Sequence, residues 1–425
     1  MLQLSFIREN RELVVERLAV KQFEAASLVE DIISLDEQRR NTQKELDDIL
    51  SAANLIAKEI GSLFKSGKRE EAEQKKDESL QLKKTTRLLE QRLNDLVASL
   101  NAKLVELPNL PHESVPAGHS EKDNEIIFEE GHIPAMPENA MPHWELAAKY
   151  KIIDFDLGSK VTGAGFPFYR GQGARLQRTL INFFLDEATQ RGYLEYQPPL
   201  LINEDSGFGT GQLPDKEGQM YFVNLDNLYL IPTAEVPLTN IYRNVILKED
   251  DLPVKNVAYS SCFRREAGSY GKEVRGLNRL HQFDKVEIVQ IAHPDKSYKV
   301  LEEMKDQVGD LLRKLELPYR IVRLCGGDIS FTSALTYDFE VFSAGQKRWL
   351  EVSSVSNFEN FQANRMKLRF RNKEGKMQLA HTLNGSALAL PRVVAALLEN
   401  NQTDEGILIP TVLQPYTGFE LIGKG

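Results

Sequence analysis

Four side chains between residues 259 and 291 have types suited to ligand chemistry: Arg264, Glu266, Phe283 and Glu287. In an extended chain alternate residues share a face, so we expect Arg264 beside Glu266, and Phe283 on the same face as Glu287. Where the two faces coincide, one sheet surface offers a guanidinium, two carboxylates and an aromatic ring. This set predicts a surface that binds a nucleotide and an amino acid together.

The residues around these four predict the strands that must position them. Val257–Cys262 and Gln282–Ile291 are rich in β-branched and aromatic residues, which is typical of strands. The polar loop between them contains Gly268, Gly271 and Gly276 and is too long for a tight hairpin.

Two further stretches contain polar side chains at spacings that suit a site. IPTAEVPLTN follows a predicted strand and contains Thr233 and Glu235, which alternate onto one side. In RWLEVSSVSN, alternation places Glu351 and Ser353 on one face, with Ser354 beside them. Taken singly, each group is also explained as an ordinary polar patch on a sheet.

The stretch LNGSALALPRVVAALLEN predicts the end of a strand followed by an apolar helix over Gly385–Asn400. Arg392 lies near the start of that helix. An arginine in the first turn of a helix can aim at a phosphate that the helix N-terminus also favours. An ordinary helix arginine is the alternative interpretation.

Heptad spacing predicts an antiparallel coiled-coil arm within residues 1–107, with its turn at Ser66–Gly67. The apolar positions are Leu35, Thr42, Leu46, Ile49, Ala53, Ile56, Ile60, Leu63, Leu82, Thr86, Leu89, Leu93, Leu96 and Leu100, with one site skipped at Arg39. At 1.5 Å per residue the arm should be tens of ångströms long. Its distal half is rich in Lys and Arg, but interleaved acidic residues leave a spacer or dimerisation role as open as RNA binding.

Composition excludes several classes of protein. The chain has 41% hydrophobic and 27% charged residues, which is typical of a soluble globular protein of two or three domains. No apolar run reaches the roughly 18–20 residues of a membrane span, and two cysteines give neither a disulfide framework nor a zinc set. We therefore expect a cytoplasmic protein without a membrane partner. A net charge of −9 argues against indiscriminate nucleic-acid binding but allows RNA on a local basic surface.

The remainder of the chain predicts a linker over residues 108–142 and an α+β domain over residues 143–425. The linker is rich in Pro, Gly and His, and we expect little regular structure there. After it, short β-rich runs alternate irregularly with helices, which favours an antiparallel sheet with flanking helices over a doubly wound parallel one. Neither a P-loop nor a G-x-G-x-x-G dinucleotide motif is present.

The order of these motifs resembles the seryl-tRNA synthetases of the class II aminoacyl-tRNA synthetases. FRREAG with HQFDKVE resembles the second class motif, NGSALALPRVVAALLEN the third, and the stretch ending EYQPPLL the first, which forms the family's dimer interface. PTAEVP and EVSS are similar to the serine and the ATP–magnesium segments of the family. Arg265 stands where Ser is frequent, and Pro391 where a small residue is common.

The resemblance implies a role for each matching residue. It implies Arg264, Arg392 and Glu351 as catalytic residues, and Glu351 with Ser354 as ligands of Mg²⁺. It implies an ATP-binding set of Arg264, Arg265, Glu266, Phe283, Glu351, Val352, Ser353, Ser354 and Arg392. It implies a serine-binding set of Thr233, Ala234, Glu235, Arg264, Glu287 and Ser386.

The function implied by the resemblance is ATP-dependent attachment of L-serine to its tRNA through a seryl-adenylate, by a homodimer whose arm grips the long variable arm of the tRNA. Charging of the selenocysteine tRNA as well is left open. Two alternatives remain: a paralogue that charges a non-tRNA acceptor, and a catalytically dead coiled-coil RNA-binding protein. A paralogue is expected to have lost or altered the arm, and a dead protein to have lost Arg264, Arg392 or Glu351.

Overall fold

The computed structural model describes residues 1–135, 140–266 and 275–423, so Gly268 and Gly271 lie outside the described residues. The chain divides into two compact units. The first contains residues 1–19 and 23–108, and the second contains residues 20–22 and the chain from Asn109 onward. Among the described residues, no helix combines the length and the apolar character needed to cross a membrane.

The first unit is helical and is dominated by a long hairpin. Its helices are α1 (Leu4–Glu9), α2 (Arg11–Val20), α3 (Ala26–Lys65) and α4 (Arg69–Leu104). α3 and α4 run antiparallel, because Asp31 pairs with Lys103 at 3.0 Å and Glu59 pairs with Lys75 at 3.2 Å. The same number of residues separates the two contacts along each helix. With 40 residues, α3 is about 60 Å long.

The described hairpin confirms the predicted coiled-coil arm. All the predicted heptad positions are buried or half-buried, and the chain turns between Lys65 and Arg69. The site skipped by the heptad at Arg39 lies beside Asp36, which is 1% exposed and pairs with Arg8, Arg39 and Arg40. Burial alone would raise the pKa of Asp36, but the hydrogen bonds from Arg39 and Arg8 outweigh it and lower that pKa.

An eight-stranded sheet organises the second unit. In spatial order its strands are β1 (Glu125–Glu130), β11 (Tyr319–Arg323), β12 (Leu335–Ser343), β13 (Arg348–Asn357), β16 (His381–Ala389), β10 (Gln282–Ala292), β9 (Val254–Phe263) and β4 (Leu194–Tyr196). All its pairings are antiparallel except that of β4 with β9. The smaller sheets contain β2 (Ile153–Asp154), β3 (Phe168–Tyr169), β5 (Leu201–Ile202), β6 (Phe222–Val223), β7 (Leu228–Leu230), β8 (Ile246–Lys248), β14 (Arg369–Arg371), β15 (Met377–Leu379), β17 (Ile407–Leu408) and β18 (Leu421–Ile422).

Helices pack against both faces of the main sheet, and one of the two faces also contains polar side chains. The helices of this unit are α5 (His143–Tyr150), α6 (Phe155–Val161), α7 (Gln172–Gln190), α8 (Glu204–Thr210), α9 (Glu235–Asn240), α10 (Ser297–Lys314), α11 (Phe361–Met366), α12 (Leu390–Asn400) and α13 (Gln414–Thr417). The core joins Leu180 of α7, Leu311 of α10 and Val394 of α12 to Val286 and Ile288 of β10. The predicted antiparallel sheet with flanking helices is therefore confirmed.

Two predictions of secondary-structure boundaries are wrong. The segment 108–142 was expected to have little regular structure, yet Glu125–Glu130 forms the edge strand of the main sheet by pairing with β11. The helix predicted from Gly385 begins at Leu390, because β16 continues to Ala389 opposite Lys285 of β10. Pairing with a neighbouring strand outweighs the helix propensity of the Ala and Leu residues there.

Candidate active site

The face of β10 turned away from α7, α10 and α12 contains the predicted site residues of this strand. Val286 and Ile288 point into the core, so Phe283, Lys285 and Glu287 point to the opposite face. This arrangement confirms the predicted strand alternation for β10.

Arg264 and Phe283 lie together at one end of this face. β9 ends at Phe263, and the backbone N–H of Arg264 donates to the carbonyl oxygen of His281 at 3.0 Å. The guanidinium carbon of Arg264 lies 5.3 Å from the centroid of the Phe283 ring. A cation and an aromatic ring are therefore available side by side, as phosphate and base recognition require.

Glu266 and Arg265 lie beyond the end of the strand, so the alternation that paired Glu266 with Arg264 does not apply. Glu266 has a φ of +48°, and its carboxylate accepts a hydrogen bond from Arg279 at 2.6 Å. Arg265 is exposed, and its backbone N–H donates to the carbonyl of Gln219 at 2.8 Å.

Thr233, Glu235 and Glu287 form a buried pocket further along the same face. The hydroxyl of Thr233 donates to Glu287 at 3.2 Å and accepts from the backbone N–H of Glu235 at 3.2 Å. Thr233 and Glu235 converge because the chain turns into α9 at Glu235, and not through strand alternation. Ser386 pairs with Glu287 across β16 and β10, while Ala234 is fully buried in a small apolar cluster.

Three further residues complete the pocket and were missed from the sequence. Lys285 Nζ lies 2.5 Å from a carboxylate oxygen of Glu287, and Gln362 donates to Glu235 at 2.7 Å. Asn384 also lies close enough to Glu235 to lower the pKa of its carboxyl. Alternation from Glu287 and from Ser386 would have found Lys285 and Asn384. Gln362 comes from α11 and has no local signal.

The two carboxyl groups of this pocket differ in how their charge is balanced. Burial and the nearby Glu287 raise the pKa of Glu235 to about 7, against the opposing effects of Gln362, Lys285 and Asn384. Glu287 has Lys285 as its counter-ion, whereas the donors within hydrogen-bond distance of Glu235 are neutral throughout the described residues. The pocket thus offers one carboxylate whose ionisation a bound cation would stabilise.

A β-bulge in β13 changes which side chains face the site. Glu351 lies opposite Glu340, but Ser353 lies opposite Phe339, so Val352 is an extra residue in the ladder. The predicted pairing of Glu351 with Ser353 on one face is wrong, because the bulge reverses the alternation. The Ser353 hydroxyl instead donates to the Ser386 carbonyl at 2.6 Å, and the Val352 side chain is buried in the core.

The bulge places Glu351 and Ser354 on one face, at a cavity of about 480 Å³ that Asp338, Glu340 and Arg392 also line. Within the described residues, one carboxylate oxygen of Asp338 is buried there without a hydrogen-bond partner. Burial and then the charge of Glu351 raise the pKa of Asp338 well above its ordinary value. Sequence reasoning missed Asp338 because it lies on a different strand from the EVSS segment.

These oxygen donors fit a divalent cation. Carboxylate and hydroxyl oxygens are ligands that Mg²⁺ accepts, and Mg²⁺ keeps waters and substrate phosphates among its other ligands. Within the described ranges no group of three or more His, Cys, Asp or Glu side chains is arranged as a complete metal site. Glu351, Ser354 and Asp338 therefore fit part of such a coordination shell.

Arg392 in the first turn of α12 forms another wall of this cavity. It donates to the backbone carbonyl of Glu351 at 2.7 Å and lies 3.4 Å from the Glu351 carboxylate. Its Nε donates to the carbonyl of Asn278 at 3.2 Å. The structure thus places a second guanidinium beside the Glu351 carboxylate, at a position suited to a group that neutralises phosphate.

Comparison with protein families assigns both parts of the chain. The seryl-tRNA synthetase N-terminal domain matches residues 1–111, and the core domain of class II tRNA synthetases (G, H, P, S and T) matches residues 221–401. The serine–tRNA ligase of Salinibacter ruber is 51% identical over 425 residues, which cover 100% of this chain and 99% of that protein. The serine–tRNA ligase of Akkermansia muciniphila is 46% identical over 424 residues, 99% of each chain.

Solved structures give the same family. The crystal structure of seryl-tRNA synthetase from Pyrococcus horikoshii complexed with ATP superposes with a TM-score of 0.93 at 34% identity and covers 100% of both chains. The cytoplasmic serine–tRNA ligase from Naegleria fowleri in complex with AMP superposes with a TM-score of 0.88 at 26% identity, covering 100% of this chain and 99% of the other.

Proposed function

The chain belongs to the seryl-tRNA synthetase family, and we propose that it attaches L-serine to tRNA with ATP, through a seryl-adenylate. One observation carries the proposal: on a single face of β10, the buried Glu287 pocket lies four residues from Phe283 and its Arg264 partner. A small pocket for an ammonium and a hydroxyl thus adjoins a cation–aromatic pair suited to a nucleotide. Arg264, Arg392 and Glu351 are all present, which argues against a catalytically inactive RNA-binding protein. The arm is formed, which argues against a paralogue that charges a non-tRNA acceptor.

In the first step an oxygen of the serine carboxylate attacks the α-phosphorus of ATP. The bond from that phosphorus to the β-phosphate oxygen breaks, and pyrophosphate leaves. No protein base is needed, because the carboxylate is already ionised at neutral pH. Arg264 aligns the two anions and neutralises the developing charge on the α-phosphate, while Phe283 stacks on adenine and Glu266 accepts from its amino group.

Within the serine pocket, Glu235 and Thr233 hold the ammonium. The Glu287 carboxylate accepts a hydrogen bond from the serine hydroxyl, and the Ser386 hydroxyl donates one to it. Arg392 binds the γ-phosphate side of ATP. Glu351, Ser354 and Asp338 would hold Mg²⁺, which when bound supplies charge neutralisation to the leaving pyrophosphate. Arg265, Val352 and Ser353 support the ATP site indirectly. The bulge at Val352 leaves a backbone group outside the ladder, and the Ser353 hydroxyl donates to β16.

In the second step a ribose hydroxyl at the 3′ end of the tRNA attacks the carbonyl carbon of seryl-adenylate, and AMP leaves. We assign delivery of the tRNA to the arm formed by α3 and α4, whose distal half is rich in lysine and arginine. Aminoacylation measured side by side with serine and selenocysteine tRNAs decides whether a second acceptor is used.

We also propose a homodimer built on the first class motif. α7 leads into β4, which forms one edge of the main sheet, and Leu194 on β4 is 59% exposed. An exposed apolar edge strand is suited to pairing with a second copy. Light scattering coupled to size-exclusion chromatography measures the mass directly, and a monomer at working concentration contradicts this assignment.

The experiment that tests the function is amino-acid-dependent ATP–pyrophosphate exchange with serine, alanine, threonine, glycine and cysteine. We expect exchange with serine to exceed that with any other member of the panel. Arg264→Ala should lower kcat/KM by about 10²–10³-fold, as removal of one electrostatic donor does elsewhere. Arg264→Lys should recover little, because a point charge does not reproduce a bidentate fork. Strong exchange with a different amino acid, or near-normal exchange in Arg264→Ala, would overturn the proposal.

A further inference from the structure

A fully buried pair, His143 and Glu399, lies outside the groups that face the substrates; both side chains are 0% exposed. Nδ1 of His143 lies 2.7 Å from a carboxylate oxygen of Glu399, which also accepts from the His143 backbone N–H at 2.8 Å. The other oxygen accepts from the hydroxyl of Ser343 and, at 3.1 Å, from the N–H of Gly345. Burial alone would raise the pKa of Glu399, but the hydrogen bonds from His143 and Ser343 outweigh it and lower that pKa.

The second ring nitrogen of His143 holds the backbone of the loop that leads into β10. The N–H of Leu277 donates to Nε2 at 2.8 Å. Because that N–H can only donate, Nε2 carries no hydrogen, and Nδ1–H is the group donated to Glu399. Gly276 has a φ of +69°, and a Cβ added there would lie 2.2 Å from Nε2. The close approach of backbone to imidazole therefore leaves no room for a side chain.

The neighbouring residue of α5 contacts the same loop. The guanidinium of Arg275 lies over the indole of Trp144, 4.8 Å from the ring centroid. The first turn of α5 therefore contacts the loop at two residues, Arg275 through Trp144 and Leu277 through His143.

The loop held in this way supplies contacts to the proposed ATP-binding residues. The carbonyl of Asn278 accepts from Arg392 at 3.2 Å, and Arg279 pairs with Glu266 at 2.6 Å. Both ends of helix α12 therefore hold this loop. Arg392 in the first turn bonds to Asn278, and Glu399 in the last turn acts through His143 on Leu277.

We propose that His143 is a positioning residue for ATP: by fixing Leu277 it sets the places of Asn278 and Arg279, and through them those of Arg392 and Glu266. This inference rests on the proposed function, because it assigns His143 to the ATP side of the site and not to the serine side. No contact of the described structure joins His143 to Thr233, Glu235 or Glu287, so serine binding should be unaffected.

The test compares His143→Leu with His143→Gln in the full-length enzyme. Leucine removes both hydrogen bonds, whereas the side-chain carbonyl of glutamine can accept from the Leu277 N–H. The control is His381→Leu, at a second buried histidine of the same unit. Its Nδ1 lies 2.8 Å from the Ser297 hydroxyl, and among the described residues its hydrogen bonds and ring contacts do not include residues 276–279. Three quantities are measured: the Kd of ATP without amino acid, the KM values of ATP and serine in pyrophosphate exchange, and Tm.

His143→Leu should raise the Kd and KM of ATP about tenfold, which corresponds to losing the one buried hydrogen bond that holds Leu277, and change the KM of serine less than twofold. His143→Gln should recover most of that loss, and His381→Leu should lower Tm without changing ATP binding. An unchanged Kd of ATP, equal rises in both KM values, or a glutamine variant no better than leucine would overturn the assignment.

If His143→Leu does not fold, His143→Gln is compared with wild type alone. A two- to threefold rise confined to ATP supports the assignment, and equal or absent changes overturn it. A wild-type enzyme that binds ATP but exchanges with an amino acid other than serine contradicts the proposed function, and the titration with ATP alone still decides the role of His143.

Discussion

Serine binding should depend on pH through Glu235. This carboxyl is 6% exposed, and burial together with Glu287 raises its pKa to about 7. Without serine, the free energy of unfolding should fall as the pH rises from about 4.5 to 7, because the folded state retains a proton that the unfolded state releases. An ammonium bound beside Glu235 favours the ionised form, so serine binding should release a proton below pH 7 and strengthen as the pH rises.

The magnitude follows from the fraction of Glu235 that is ionised before serine binds. With a pKa of about 7, Glu235 is ionised in roughly one tenth of the molecules at pH 6 and in nine tenths at pH 8. The Kd of serine should therefore be about tenfold weaker at pH 6 than at pH 8. Proton release per serine bound should fall from about 0.9 at pH 6 to about 0.1 at pH 8.

Isothermal titration calorimetry in buffers of different ionisation enthalpy measures both the Kd and the protons released. Gln362→Leu is the matched perturbation, because it removes a donor that lowers the pKa of Glu235, and it should move the transition to higher pH. Glu235→Gln should weaken binding and abolish the proton release. Equal Kd values at pH 6 and pH 8 in wild type, or an undiminished pH dependence in Glu235→Gln, would refute the reasoning.

Three further outcomes are expected. Glu287→Gln should strongly lower kcat/KM for serine and reduce the ratio of kcat/KM for serine to that for alanine, since a buried group that binds a hydroxyl supplies about 10⁴–10⁵-fold discrimination. The kcat/KM values for serine, alanine and threonine test this, and a variant that loses only its rejection of threonine would contradict it. Replacing residues 44–90, whose ends face each other in the arm, by a short Gly-Ser turn should preserve pyrophosphate exchange and abolish tRNA serylation; equal loss of both in a folded variant would contradict the division of labour. Asp338→Asn should raise the Mg²⁺ concentration for half-maximal exchange severalfold, and an unchanged Mg²⁺ titration would remove Asp338 from the cation site.

Periodicity predicted the parts of this fold that local patterns determine. The arm, the two strands β9 and β10, and the shared face of Phe283 and Glu287 follow from repeats of 3.5 and 2.0 residues in the sequence. The same rule failed for Glu351 and Ser353, because one extra residue in a strand reverses every later side chain and a bulge has no clear local signature. It failed for Glu266 because the strand ends three residues before it.

The sequence did not predict the site residues that come from elements distant in the chain. Asp338 and Gln362 reach the site from β12 and α11, and only the pairing of strands and the packing of helices bring them there. Their types are ordinary and no neighbouring motif marks them. Glu125–Glu130 was missed for the opposite reason: its strand residues lie in a segment whose Pro and Gly content is typical of linkers.

The matched register of α3 and α4 constrains how the reach of the arm can change over evolutionary time. An insertion in one helix alone would shift every later apolar residue out of its partner's groove, whereas seven residues added to both helices keep all existing contacts in phase. Each such paired event moves the tip by about 10 Å, close to a third of a turn of a nucleic-acid duplex. Length variation among related arms should therefore occur in matched heptads on either side of the Gly67 turn.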